Sequence, residues 1–303
     1  MRRAGLATIS LVAGASILGL GGSSGKDPAA QGPAGQPRKI TPAEIRILDH
    51  AEQVLIAECM RGKGFRYDVV KPTRDDPQAD TFRYVIDDIS WASRHGLGTR
   101  DQARVRNEPT HNERRLSTMP KDIRAAYGAA LMGPPPAAQA HVLEMRLPNG
   151  EVIGMSGQGC VAQARTELYH DLRGWFRATM IVNNLAPVVA TAIEKDQAYR
   201  VSVKAWAACM HRAGHPYDGP GELRAEAAER TAGRDPETAH RIEVPLAVAE
   251  AKCAQRTGLG NVIQGLERRQ WAALALRYRA DIESLRRLRL NALHRARHLI
   301  AGG

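Results

Sequence analysis

The feature that most constrains this chain is a cysteine box that occurs twice. Cys59-Met60-Arg61-Gly62-Lys63-Gly64-Phe65-Arg66-Tyr67-Asp68 aligns without a gap on Cys209-Met210-His211-Arg212-Ala213-Gly214-His215-Pro216-Tyr217-Asp218, in the pattern C-M-x3-G-x2-Y-D. Each box reads as the end of an apolar helix: a glycine stops it and a tyrosine folds back onto it. The chain has 4 cysteines, and the remaining two, Cys160 and Cys253, follow one box each. Four cysteines allow ~3 connectivities. The repeat selects Cys59–Cys160 with Cys209–Cys253, because either alternative would tie the units together and leave each unclipped. The fold expected is mainly α: two disulfide-clipped helical units with one inserted β-hairpin.

Local signals fill in that outline. Thr41-Pro42-Ala43-Glu44 combines an N-cap, a first-position proline and a capping-box glutamate, and Leu48, Ala51, Leu55 and Cys59 follow on one face. Thr118, Pro120 and Asp122 open a helix that ends at Gly133. His141 to Met155 alternates around Pro148-Asn149-Gly150, where Asn-Gly favours a type I′ hairpin. One helix is expected from Cys160 to about Asn184, and another from Pro187 through Tyr199, Val203, Trp206 and Met210 to Gly214. Asp235-Pro236 starts a helix interrupted at Pro245. A single long amphipathic helix is expected from Asn261 to about Leu299.

Arg2 and Arg3 precede an uncharged run, residues 4 to 20, and then Gly21, Gly22, Ser23 and Ser24, the layout of a cleaved signal peptide. An uncleaved anchor is the alternative, since the run sits at the short limit for a span of ~17–25 residues. The first cysteine is Cys59, so acylation directly after the apolar run is chemically closed. The expected organisation is a signal peptide over 1–24, a flexible Gly/Pro linker over 25–40, a first helical unit over 41–185 and a second over 186–303. An even cysteine count then reads as disulfides formed in an oxidising compartment, secreted or on the outer face of the cell envelope.

In its boxes, in YVIDDISWASRHGLG (84–98), in G-C-x-x-A-x-x-x-L-Y (Gly159 to Tyr169) and in A-x-A-x-x-x-C (Ala247 to Cys253), the chain resembles a family of uncharacterised secreted proteins and lipoproteins abundant in actinobacteria. The resemblance implies export and helical architecture. It implies no activity.

The residues call for no cofactor and no metal: C-x2-C pairs, H-E-x-x-H, P-loops and dinucleotide fingerprints are missing. Cys160 at a helix start could carry an activated thiol, but in an exported chain it reads as a bridge. Residues 266 to 298 carry Arg268, Arg269, Arg277, Arg279, Arg286, Arg287, Arg289, Arg295 and Arg297 against Glu267, Asp281 and Glu283. This concentrates much of the formal net charge of +11 on one segment. Such a face suits an anionic envelope polymer or a lipid surface, with Arg277, Arg279, Arg286 and Arg287 as the docking set; specific nucleic-acid reading is not expected. A protein that binds rather than catalyses is the first expectation. The alternative is a secreted hydrolase with a carboxylate/His site at Asp87, Asp88 and His95 in the 84–98 tract.

Overall fold

The computed structural model describes residues 38–70, 82–99, 109–134 and 142–301. The expected signal peptide, most of the linker and the polar 71–81 loop lie outside them. The described chain is mainly helical with a single two-stranded antiparallel hairpin, as expected. The order is α1 (Pro42–Gly62), α2 (Ile89–His95), α3 (His111–Thr118), α4 (Lys121–Met132), β1 (Val142–Arg146), β2 (Val152–Ser156), α5 (Cys160–Tyr169), α6 (Leu172–Asn183) and α7 (Leu185–Lys195). Then follow α8 (Gln197–Arg212), α9 (Pro220–Thr231), α10 (Pro236–Thr257), α11 (Leu259–Arg277) and α12 (Arg279–Ala301).

The bridges are Cys59–Cys160 and Cys209–Cys253, with Cα atoms 5.5 and 5.7 Å apart. Both boxes end their helices with the same hydrogen bonds. Lys63 N–H donates to the carbonyls of Cys59 and Met60, Gly64 N–H to Arg61, and Phe65 N–H back to Met60. In α8 the donors Ala213, Gly214 and His215 serve Cys209, Met210 and His211 in the same way. Gly64 (φ 81°) and Gly214 (φ 83°) take the left-handed turn this closure needs. Met60 and Met210 are fully buried beneath the turns. The tyrosines fold back to different partners: the Tyr67 hydroxyl donates to Gln53 (2.9 Å), and that of Tyr217 to Glu226 (3.2 Å).

Five expectations are corrected, four of them local. The helix expected from Cys160 to Asn184 is two helices. His170 adopts φ 61° and Asp171 caps α6 by accepting from Gly174 N–H at 2.8 Å. Asp196 likewise starts α8 by accepting from Ala198 N–H, which splits the helix expected from Pro187. Pro245 does not interrupt α10: it lies on the exposed side of the helix, as does Arg241, whose carbonyl loses its helical donor there. The hairpin does not close as type I′, because Pro148 has no N–H for a two-residue loop. The closing pair moves out to Leu147 and Glu151 (2.7 Å), Gly150 N–H donates to Leu147, and Gly150 alone takes positive φ, at 95°. That is a type I turn with a glycine bulge.

The long C-terminal helix is also broken, at Tyr278 (φ −106°, ψ 22°). The break matters for packing. Ile263 and Leu266 of α11 face α7 and α8, whereas Leu288, Ala292, Leu293 and Ala296 of α12 enter the core that holds α1, α5 and α6. The 84–98 tract crosses the other way: Val85 joins the core around Trp206, and Ile86 and Ala92 pack on Ala247 and Ala251 of α10. Packing therefore crosses the 185/186 boundary in both directions, and the two cores are interlocked by exchanged segments.

Candidate functional site

Two places carry concentrated polar chemistry. The first is the interface between the 84–98 tract and α10. On α10, Glu243, Ala247, Glu250, Ala251 and Ala254 recur at spacings of three and four, so two carboxylates lie on the apolar stripe that receives the tract. Both glutamates are completely buried. Glu243 accepts from Leu97 N–H (3.3 Å) and from the Thr99 hydroxyl. Glu250 accepts from Ile86 N–H (3.2 Å) and faces the Arg224 guanidinium at 2.9 Å. Backbone donors of an irregular strand must find partners when buried, and these carboxylates supply them. Burial nevertheless outweighs Arg224 and pushes the Glu250 carboxyl up to about 7, with Asp87 adding to the rise. Its second oxygen has no hydrogen-bond partner among the described residues.

The residues expected for hydrolysis take separate tasks here. The Asp88 side chain caps α2, accepting from Trp91 N–H at 2.9 Å. Asp87 is half-buried, and its carboxylate lies over the first turn of α11: a methyl group on Gly260 would sit 2.1 Å from Oδ2. The positive end of that helix suits an anion, while desolvation raises the Asp87 carboxyl above its ordinary value. The His95 ring stacks on Trp91, centroids 5.0 Å apart. The described contacts engage all three side chains with the scaffold, and the neighbouring Asp88 charge adds to the rise at Asp87. Asp88→Ala should therefore cost about 1 kcal/mol, the usual loss of an N-cap. Urea unfolding checks it; an unchanged midpoint would show that the carboxylate is not held as a cap.

The second place is the corner formed by α11 and α12. Several of its arginines are engaged. Arg279 pairs with Glu283 (3.0 Å), Arg286 donates to the Arg38 carbonyl (3.4 Å), and Arg295 makes two bonds to the Leu168 carbonyl. Arg297 lies 3.6 Å from Glu44, and Arg289 is sunk beside Tyr169 and Asp49, its guanidinium lowered by burial. Arg268, Arg269, Arg277 and Arg287 are exposed, and among the described residues none has a carboxylate within ion-pair distance. Of the expected docking set, then, Arg277 and Arg287 are without a carboxylate partner among the described residues, Arg277 lying over the Tyr278 ring at 5.4 Å, whereas Arg279 and Arg286 have protein partners. Between the open arginines the last turns of α11 expose Trp271 (37%) and Leu276 (77%) together with Ala272 and Ala275. The uncharged apolar run Trp271 to Leu276, which stops just before the break at Tyr278, was the signal for this edge.

Comparisons with protein families, with curated proteins and with solved structures find no match.

Proposed function

We propose that this is an exported, disulfide-stapled binding protein that docks on an anionic surface of the cell envelope through the α11–α12 corner. The two bridges suit maturation in an oxidising compartment, and export fits the resemblance to actinobacterial secreted proteins and lipoproteins. The observation that carries the docking reading is the end of α11, which exposes Trp271 and Leu276 along the stretch between Arg268, Arg269 and Arg277, none of them in an ion pair among the described residues. Arginines draw the face to anionic headgroups at about 1 kcal/mol each. Tryptophan and leucine beside them favour an interface with an apolar interior over a soluble polymer.

Co-sedimentation of the mature chain with anionic and zwitterionic vesicles tests this. Binding should require the anionic lipid and fall steeply as salt rises, since exposed charges are screened over ~8–10 Å at physiological ionic strength. Arg268→Gln, Arg269→Gln, Arg277→Gln and Arg287→Gln combined should abolish it. Trp271→Ala with Leu276→Ala should weaken vesicle binding and leave retention on a soluble anionic wall polymer intact. Full vesicle binding by the quadruple variant would overturn the docking face.

A further inference from the structure

His294 and His298 lie one helical turn apart on the exposed side of α12, in an H-x3-H spacing. Their Nε2 atoms face each other at 3.1 Å, with ring centroids 4.4 Å apart. We propose that this pair is a chelating site for a borderline divalent transition-metal ion, Cu(II) most tightly and Zn(II) or Ni(II) less so.

The geometry is that of a bite. A metal at ~2.0–2.1 Å from each nitrogen would close an N–metal–N angle of roughly 100°, between the octahedral and tetrahedral values. Without metal the contact is a hydrogen bond, with the Nε2 proton of one ring shared with the Nε2 lone pair of the other. On metal binding, that proton moves through solvent to Nδ1 of its own ring, so both Nε2 atoms become free to ligate and no net charge leaves the pair. Neutral imidazoles are preferred ligands for copper, nickel and zinc, and in the divalent series copper leads. Water fills the remaining coordination positions, since no group of three or more His, Cys, Asp or Glu suited to a metal occurs among the described residues.

The support beneath the pair is rigid. The same two turns bury Ala292, Leu293 and Ala296 in the first core. Arg295 is tied to the Leu168 carbonyl at 2.7 and 3.0 Å, and Arg297 lies toward Glu44. These contacts hold the backbone that sets the spacing of the rings, and they draw two cationic side chains away from the ion. The packed helix holds the two rings within reach of one ion, so that binding needs only the proton shift and a small rotation of each ring. Arg287 and Asn291 share the face; the arginine opposes a dication, so binding should strengthen as salt screens it.

The site is independent of the docking reading, and one experiment separates them. Calorimetric titration of the mature chain with Cu(II) and with Zn(II), joined to the Cu(II) paramagnetic resonance spectrum, should show one ion per chain with two nitrogen ligands. His294→Ala and His298→Ala remove exposed side chains and leave the fold intact. Each should lower affinity by at least the ~10–100-fold that loss of a supporting partner costs a metal site. His170→Ala and the four-arginine variant should bind metal no more weakly than the parent. No uptake up to millimolar metal, or uptake indifferent to both His294 and His298, would overturn the site.

Discussion

Removal of the Cys59–Cys160 bridge, as the double alanine variant, should destabilise the protein by about 5 kcal/mol, and removal of Cys209–Cys253 by about 4 kcal/mol. The difference follows from the closed loops, 101 and 44 residues. Each link deletes conformations from the unfolded chain, and a longer loop deletes more. The surroundings of the bridges differ as well. Cys209 and Cys253 are both buried among Trp206, Met210 and Leu246, whereas Cys59 is only partly covered. A reductant should therefore open Cys59–Cys160 first, with the inner bridge resisting until the second core opens. Urea unfolding of the two variants and a thiol-trapping time course under mild reductant check both statements. A loss below about 1 kcal/mol for the longer loop would mean that the unlinked chain already holds α1 against α5.

That the bridges were legible in the sequence follows from redundancy: two copies of one box gave the pairing a logic that four isolated cysteines lack. The helix starts at Thr41 and Asp235 were legible for a related reason, since a cap, a proline and an acidic residue coincide within four positions. The breaks at His170, Asp196 and Tyr278 were not. No proline or glycine marks them, and the apolar stripe runs across each with little change of phase, so one helix and two give the same pattern. What decides is tertiary: α12 has to leave α11 to reach α1. The converse error at Pro245 has the same origin, because a proline on the solvent side costs the helix little that water cannot replace.

The polar chemistry was legible only in part. Charge counting found the arginine-rich segment but could not separate Arg277 and Arg287 from Arg279 and Arg286, whose partners come from tertiary or helical neighbours. His294-x3-His298 was present as a spacing. It gains meaning only once the helix is known to be continuous there and the rings to face each other. The buried glutamates had a visible signal too: Glu243 and Glu250 sit two turns apart on the alanine stripe of α10, where a solvated carboxylate has no place.

Glu250 makes the protein's stability fall as pH rises through the weakly acid range. Its folded carboxyl titrates at about 7, against an ordinary value of 4.5 in the unfolded chain. Between those values the folded state holds a proton that the unfolded state has lost, so each rise in pH favours unfolding. Across the whole window the loss approaches ~3 kcal/mol, and above about 7 this group adds no further slope. The cause is geometric. Arg224 meets only one side of the carboxylate, Ile86 N–H supplies one bond, and the second oxygen has no donor among the described residues, so ionisation in that place is poorly compensated. Asp87 and Glu267, both raised by burial, act with the same sign. Glu44 acts oppositely: Arg38 and the Thr41 capping box hold it down to about 2, and its contribution is lost only as pH falls from 4.5 toward that value. Stability should therefore be greatest near the lower end of the Glu250 window and decline on both sides. In Glu250→Gln the acid-side decline should persist while much of the decline from pH 5 to 7 disappears. Glutamine keeps an acceptor for Ile86 and carries no charge to bury, and Arg224, partly exposed, retains the Tyr84 and Pro220 carbonyls. Urea unfolding of both proteins at pH 5, 6, 7 and 8 measures the difference directly. A parent curve that rises over that range, or a glutamine variant with the parent's slope, would show that Glu250 stays ionised in its pocket and that Arg224 alone is enough to hold it so.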